Sequence, residues 1–232
     1  MRMMTKTISA KTKAHTRYKN DEGKVIPSVT TIIGGNLGWN KGALIGWSRK
    51  MALQGIDPNK ERDEAADVGT LAHALIEEYI TEKAPLLEVI PVDRDLYAPT
   101  NLEMATNAFN AFVEWEEQYK VDLTDPSVQA EVRLHSEWFQ YGGTLDLIAP
   151  MDGVLSLIYF KSTNNLYVEH RIQLAAYQWL YEENFGGAVP THLLQVSKDA
   201  ADFHHHSFVD LSSELEAFRI LVRLHQLHKT LK

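Results

Sequence analysis

The sequence has 232 residues, 44% of them apolar, and a formal net charge of −8. At about 150 residues per domain, this length allows one large domain or two small ones with a packed core. No apolar run approaches the ~18 residues that cross a bilayer, and the polar, basic N-terminus lacks the apolar region of a signal peptide. We therefore expect a cytoplasmic protein, with an organelle as the alternative, and no membrane partner. The absence of cysteine excludes disulfides, thiolate zinc sites and iron–sulfur clusters, so any metal must bind oxygen or imidazole.

The charge is distributed unevenly along the chain. Residues 1–24 carry seven basic side chains against two acidic ones, so a basic segment precedes an acidic body. The overall acidity argues against a protein that coats nucleic acid non-specifically. We interpret residues 1–14 as a basic N-terminal arm, which is either a solvated leader or a segment that contacts phosphates.

Periodicity and capping residues predict the elements of the N-terminal half. Thr16–Ile26 is typical of a hairpin, because Asp-Glu-Gly separates two β-prone segments. Ser28 is the expected N-cap of a helix, and a second helix is predicted over Lys41–Gln54. Apolar residues at helical spacing then predict two long amphipathic helices, Glu61–Glu82 and Asn101–Lys120.

The C-terminal half is predicted to alternate strands with helices. The predicted strands are Val128–Leu134, Tyr141–Ala149, Val154–Lys161, His192–Ser197 and Phe203–Val209, and the predicted helices are Val168–Glu183 and a final one begun by Ser212 or Ser213 and ending at Leu231. We expect a single α/β domain over residues 15–232, with a hairpin and helical part at 15–120 and an α/β core at 126–232. Neither a Gly-x-Gly-x-x-Gly nor a Gly-Lys-Ser/Thr motif occurs, which argues against a nucleotide cofactor.

Two charged residues interrupt the predicted core strands. Asp146 is flanked by apolar residues that demand burial, so its carboxylate must be ion-paired, hydrogen-bonded or bound to a cation. Lys161 ends the next strand and can meet Asp146 across the sheet. The pair is therefore either a buried salt bridge or part of a site.

Two helices present polar residues beside their apolar stripes. His73 lies about 120° from the centre of the stripe of its helix, at the rim of the buried face. Glu169, Gln173 and Tyr177 follow one another at four-residue spacing on a later helix, one step from its apolar positions. Each is by itself an ordinary boundary residue, but the two rims together can face one cleft.

These residues fall into a series that resembles RecB-type nucleases of the PD-(D/E)XK superfamily. The series comprises Gly69-x-x-x-His73-x-x-Ile76-Glu77, then Glu131, then Tyr141-Gly142-Gly143-Thr144-Leu145-Asp146, then Ile158-Tyr159-Phe160-Lys161-Ser162-Thr163, and then Gln173-Leu174-Ala175-Ala176-Tyr177. Upstream, Pro27-Ser28-Val29-Thr30-Thr31-Ile32 is similar to the opening of phage-encoded and mitochondrial members. The resemblance implies a restriction-endonuclease-like α/β core, with a central mixed sheet flanked by helices and a helical N-terminal elaboration. It also implies the branch of the family that has no iron–sulfur cluster.

The resemblance assigns roles to the residues of the series. It implies a DNA nuclease, with exonuclease action from an end as the expectation, that uses Mg²⁺ or Mn²⁺ to polarise the phosphate and activate water. Asp146 is then the main metal ligand, the Phe160 carbonyl a backbone ligand, His73 a ligand of one ion, and Glu131 an outer carboxylate. Lys161 orients water or stabilises negative charge. Gln173 and Tyr177 support the site and the DNA strand.

The candidate contacts to DNA are basic, polar and aromatic residues on several elements. They are Arg49, Lys50, Ser162, Thr163, Arg171, Lys198 and the tryptophan Trp39 in a glycine-flanked loop. The expected DNA is either single-stranded or double-stranded with ends, and the sequence does not identify the protein partners. Each of the basic residues is equally compatible with a solvated surface charge.

Position 159 departs from the family pattern, which places Asp or Glu two residues before the lysine. Tyr159 is neutral near pH 7 and a poor Mg²⁺ ligand. Three explanations are open: the site is inactivated, Glu169 replaces the carboxylate, or one metal is held by Asp146, Glu131 and His73. The function expected from the resemblance is that of a metal-dependent DNA nuclease of phage or cellular recombination and repair, which is either active or inactivated. The alternatives are a catalytically impaired DNA-binding or scaffolding protein and a structural domain with an Asp146–Lys161 salt bridge.

Overall fold

We describe a computed structural model of the chain over residues 17–163 and 165–231. Its elements in chain order are β1 (Tyr18–Lys19), β2 (Val25–Ile26), α1 (Val29–Asn36), α2 (Lys41–Leu53), α3 (Pro58–Lys83), a 3-10 turn (Arg94–Leu96), α4 (Pro99–Gln118), β3 (Gln129–Ser136), β4 (Tyr141–Met151), β5 (Val154–Lys161), α5 (Val168–Phe185), β6 (Thr191–Val196), β7 (Phe203–Phe208) and α6 (Ser212–Thr230). Every predicted helix and strand is present, with ends shifted by a few residues. The predicted basic arm, residues 1–14, lies outside the described residues.

Local chemistry explains where several helices begin and end. Ser28 caps α1 as predicted, because its side-chain oxygen accepts a hydrogen bond from the Thr31 N–H at 3.0 Å. Pro58 occupies the first turn of α3, where a missing N–H costs nothing. The last helix begins at Ser212, as predicted, and its cap is Leu211. Leu211 is buried, so packing sets this end.

The sheet has five strands in the order β3-β4-β5-β6-β7. All neighbouring pairs are antiparallel except β5 and β6, which are parallel and joined through α5. The sheet is therefore mixed, as the resemblance implies. A helix joins β5 to β6 because a parallel pair needs a crossover connection. The short hairpin of β1 and β2 forms a separate two-stranded sheet that contacts β4.

Two hydrophobic cores cover the two faces of the sheet. Helices α3 and α4 pack on one face around Phe112 and Trp115, and α1, α5 and α6 pack on the other around Tyr141 and Phe218. All four of these aromatic side chains are fully buried. The helical N-terminal half thus supplies one layer of the α/β sandwich. None of the described helices is both long and apolar enough to span a membrane.

Candidate metal centre

A cavity of about 470 Å³ opens between the N-terminal hairpin, α3, strands β3 to β5 and α5. Its polar lining comprises Tyr18, Ser28, Thr30, Thr70, His73, Glu77, Glu131, Arg133, Thr144, Asp146, Tyr159, Lys161, Gln173 and Tyr177. Residues of both predicted rims, His73 on α3 and Gln173 and Tyr177 on α5, therefore line this one cavity. A cavity with convergent titratable groups is the default location for chemistry in an α/β protein.

Asp146 lies where β4 and β5 separate. The paired residues of the two strands run from Met151 opposite Val154 to Leu147 opposite Ile158. At the next positions the Asp146 carboxylate takes the place of a backbone acceptor, and the Phe160 N–H donates to its Oδ2 at 2.8 Å. This bond holds the buried carboxylate in the fork, which is the point where β4 and β5 stop pairing, and it fixes the Phe160 backbone beside the carboxylate.

Glu131 lies directly opposite Asp146, since the paired residues of β3 and β4 flank these two positions on both sides. Its φ of 51° is in the left-handed region, which a non-glycine residue rarely adopts within a strand. Such a conformation costs on the order of 1–3 kcal/mol, and backbone strain of this kind clusters at functional sites. Two carboxylates facing each other across a ladder also repel. The backbone strain at Glu131 and the repulsion between Glu131 and Asp146 therefore occur at the same pair of residues.

The strained position coincides with a change of face in both strands. In β3, Val132 packs with the core beside α5, whereas Ala130 packs with the core beside α3 and α4. In β4, Leu145 packs with the core beside α5, whereas Leu147 packs with the core beside α3 and α4. Residues two apart in a regular strand share a face, so the backbone rotates at the two acidic positions that lie between these pairs. This rotation aims the intervening carboxylates into the cavity rather than into either core.

His73 brings a third donor from α3. One ligand atom of each of His73, Glu131 and Asp146 lies within 4.8 Å of the others. Burial and the negative charge of Glu131 raise the pKa of Asp146 well above its ordinary value, which is the signature of crowded anionic groups. One imidazole and two carboxylates at this spacing form a donor set that fits a divalent cation.

Lys161 and Tyr159 form the wall beside this group. Burial lowers the pKa of Lys161, an effect that the nearby Asp146 carboxylate opposes. The Lys161 Nζ lies 5.2 Å from the centre of the Tyr159 ring, so the phenol offers the ammonium a ring face instead of a carboxylate. Burial raises the pKa of Tyr159 well above its ordinary value, and the hydroxyl is therefore neutral at physiological pH.

Helix α5 contributes Gln173 and Tyr177, both buried. The Gln173 Nε2 donates to the Tyr177 hydroxyl at 2.8 Å, and the Tyr177 ring packs against the Tyr159 ring with centroids 5.3 Å apart. This close packing requires Gly143, because a Cβ there would lie 2.6 Å from the Tyr177 ring. The Gln-x-x-x-Tyr element is thus locked onto β4.

The sequence analysis missed Tyr18 as a site residue, and it named Thr144 and Glu77 within motifs without giving them a role. The Tyr18 hydroxyl hydrogen-bonds to Thr144 Oγ1 at 2.7 Å, and its ring lies over Gly142, where a Cβ would meet it at 2.4 Å. No local pattern relates a hairpin residue to a strand more than a hundred positions away, so Tyr18 carried no signal. Glu77 did carry one, since it follows His73 by four residues on α3 and so shares its face.

Several predicted site residues do not line the cavity. Glu169 is eight residues before Tyr177, which is about 12 Å along a helix axis, and its carboxylate accepts a hydrogen bond from Asn40. Arg171 pairs with Glu214 under the Phe208 ring, and the Lys198 ammonium bonds the Ala65 carbonyl.

The remaining candidate DNA contacts also do not line the cavity. Arg49, Lys50 and Trp39 are exposed on and before α2. Ser162 packs against Gly69 of α3, and the Thr163 carbonyl accepts from Gln195. Their role toward DNA stays a prediction, as does that of the Phe160 carbonyl.

The fold and the cavity define an α/β protein with a candidate cation site beside a partly buried lysine. The sequence pattern of the PD-(D/E)XK nuclease superfamily matches residues 47–226, which is more than half of the chain. The chain belongs to this superfamily, whose members are nucleases that generally use divalent metal ions.

Solved structures resemble the fold at low sequence identity. A protein of Eubacterium rectale, named provisionally as an exonuclease, matches with 15% identity and a TM-score of 0.46 over 69% of this chain and 65% of its own. The protein SSO0001 matches with 16% identity and a TM-score of 0.32 over 60% of this chain and 64% of its own. The chain thus spans less than two thirds of each of these structures. No curated protein matches the sequence.

Proposed function

We propose that the protein is a deoxyribonuclease that depends on Mg²⁺ or Mn²⁺ and acts from DNA ends in recombination or repair, in the cytoplasm of a bacterial or phage-infected cell. The observation that carries this proposal is the meeting of His73, Glu131 and Asp146 within 4.8 Å, in a cavity shared with Lys161. Membership of a nuclease superfamily supports the reaction class.

The central residues of the cavity have roles in phosphodiester hydrolysis. His73, Glu131 and Asp146 hold the cation, which when bound polarises the phosphate and lowers the pKa of water. Lys161 faces the same space, and its ammonium stabilises the negative charge that develops on the phosphate oxygens. Its lowered pKa also suits exchange of a proton with water. The Phe160 N–H keeps the Asp146 carboxylate in place during the reaction.

The supporting residues position the DNA strand. The Tyr177 hydroxyl is hydrogen-bonded to Gln173 and the Tyr18 hydroxyl to Thr144, on opposite sides of β4. Both rings are therefore held in place as walls of the cavity. Fixed aromatic walls suit nucleotides, because every base and sugar presents an apolar face. Arg133 also lines the cavity and supplies positive charge for a phosphate.

Tyr159 favours a second candidate function, a catalytically impaired protein that binds DNA or scaffolds other factors. A neutral phenol stands where the family has a carboxylate, which removes one negative charge from the cation site. Glu169 is a poor substitute, because it lies outside the cavity and bonds Asn40. The choice between the two functions therefore depends on whether the remaining donors hold a cation tightly enough.

The test compares the unmodified chain with Asp146→Ala and Tyr159→Asp on end-labelled single- and double-stranded DNA with Mg²⁺ or Mn²⁺. The nuclease proposal predicts metal-dependent cleavage that Asp146→Ala abolishes. Linear and circular substrates of equal sequence separate action from ends from internal cutting. If the unmodified chain only binds DNA while Tyr159→Asp cuts it, the protein is an impaired nuclease.

Two outcomes contradict parts of the proposal. Absence of metal-dependent cleavage by Tyr159→Asp on every substrate would refute a nuclease site here. Loss of cleavage in Glu169→Gln, with Glu182→Gln on the same helix as the control, would instead assign the missing carboxylate to Glu169.

A further inference from the structure

Glu77 is a buried carboxylate on the helix that carries His73. It follows His73 by four residues on α3, and so projects from the same face one turn later. Its side chain is 7% exposed and lines the same cavity as Asp146 and Glu131. Its negative charge contributes to the raised pKa of Asp146, which places the two carboxylates within electrostatic reach.

The charge balance of the cavity requires a further anionic group. A divalent cation, the Lys161 ammonium and the Arg133 guanidinium together bring four positive charges into this space, and Asp146 and Glu131 bring two negative ones. Tyr159 contributes none, since its hydroxyl stays protonated. An uncompensated charge in a buried site is costly, so a third carboxylate favours cation binding. Glu77 is the remaining carboxylate among the described residues that line the cavity.

We propose that Glu77 is the third carboxylate of the cation site and takes the place of the acid that position 159 lacks. It is not one of the three residues whose ligand atoms lie within 4.8 Å of each other. It is therefore a positioning residue, which would accept hydrogen bonds from water bound to the ion. Outer groups of this kind typically change metal affinity by about 10–100-fold. The inference rests on the proposed function, because it assumes a cation at His73, Glu131 and Asp146.

The experiment measures Mn²⁺ affinity by titration calorimetry on the full chain, without DNA. We expect Glu77→Gln to weaken Mn²⁺ binding by about 10-fold or more, and Asp146→Asn to abolish it. Glu78→Gln is the matched control, because Glu78 is equally buried at 8% on the same helix but pairs with Arg94 outside the cavity. That variant should lose thermal stability and keep its Mn²⁺ affinity.

A double variant tests the replacement itself. If Glu77 substitutes for the absent acid, the affinity lost through Glu77→Gln should shrink in the Tyr159→Asp background. An unchanged loss would overturn the inference. Should Tyr159→Asp fail to fold, the comparison of Glu77→Gln with Glu78→Gln still decides.

The outcomes separate this inference from the proposed function. Unchanged Mn²⁺ affinity in Glu77→Gln, combined with loss in Asp146→Asn, refutes the role of Glu77 and leaves the cation site intact. Unchanged affinity in both variants refutes the cation site and with it the proposed function.

Discussion

Replacing Asp146 by Asn should stabilise the protein in the absence of metal. The Asp146 and Glu131 carboxylate oxygens lie within 4.8 Å of each other, and at an effective dielectric constant of 20 their repulsion amounts to about 3.5 kcal/mol. The variant removes this repulsion and that from Glu77, and it no longer buries a charged carboxylate, since burial is the largest cause of the raised pKa of Asp146. It also removes attraction to Lys161, and the Phe160 N–H then donates to a neutral oxygen, a loss of about 1 kcal/mol. We therefore expect a net gain of about 1–2 kcal/mol, which raises the melting temperature by about 2–8 °C for a chain of this size.

The same change should remove the response to metal. Thermal unfolding is followed at pH 8, first with EDTA and then with excess Mn²⁺. Mn²⁺ at a hundred times its dissociation constant stabilises the unmodified protein by about 2.7 kcal/mol, whereas Asp146→Asn should gain almost nothing. The order of the two melting temperatures should therefore reverse between the two conditions. Asp152→Asn is the control, because its carboxylate is exposed in a turn and only meets Lys120 at the surface.

A structural Asp146–Lys161 salt bridge predicts the opposite pattern. Removing one partner of a buried ion pair destabilises a protein by about 3–5 kcal/mol, because the other charge is left uncompensated. If Asp146→Asn unfolds the metal-free protein by that amount, and Mn²⁺ leaves the melting temperature of the unmodified chain unchanged, the electrostatic reasoning above is wrong.

Two further predictions concern stability away from the cation. Gly143→Ala should lower the free energy of unfolding in denaturant by about 1–3 kcal/mol, because the new Cβ would meet the Tyr177 ring at 2.6 Å. Gly46→Ala, with open space around it on α2, should instead stabilise the protein by about 0.5–1 kcal/mol. Equal effects of the two variants would contradict the packing argument. Below pH 6.5 stability should fall by up to about 1.4 kcal/mol per pH unit for each imidazole that stays neutral in the folded protein, since burial lowers the pKa of His192 and lowers those of His170 and His205 to about 4, so that protonation favours the unfolded chain. His205→Phe should flatten this dependence, and an unaltered slope between pH 6.5 and 4 in urea titrations would refute the assignment.

Helix and strand positions were predictable because they depend on short-range patterns. The four-residue apolar spacing of α3 and the alternation of the strands are local, and so is the Ser28 cap. The prediction that Asp146 is buried beside Lys161 was equally local, because flanking apolar residues and a tight turn dictated both. Helix ends were less predictable. Leu211 caps α6 because packing holds it there, and its sequence carries no capping signal.

The membership of the site was only partly predictable. Spacing along α5 suggested that Glu169, Gln173 and Tyr177 share a face, but each helical turn advances about 5.4 Å, so only the latter two reach the cavity. The position of Tyr18 depends on a hairpin docking onto Gly142, a contact without a sequence period. Glu77 had the right spacing from His73, and only its burial in the cavity distinguishes it from its neighbour Glu78.

By itself, the sequence determined the order of elements, the α/β class, the absence of thiol chemistry and the residue types from which a site could be made. Those properties follow from composition and from patterns a few residues long. Only the tertiary structure decided which carboxylates meet, since the left-handed turn at Glu131 and the fork at Asp146 arise from pairing of distant strands. The charge that position 159 lacks was visible in the sequence. That Glu77 stands in the same cavity became visible only when α3 was placed against the sheet, because burial and proximity are properties of the packed chain.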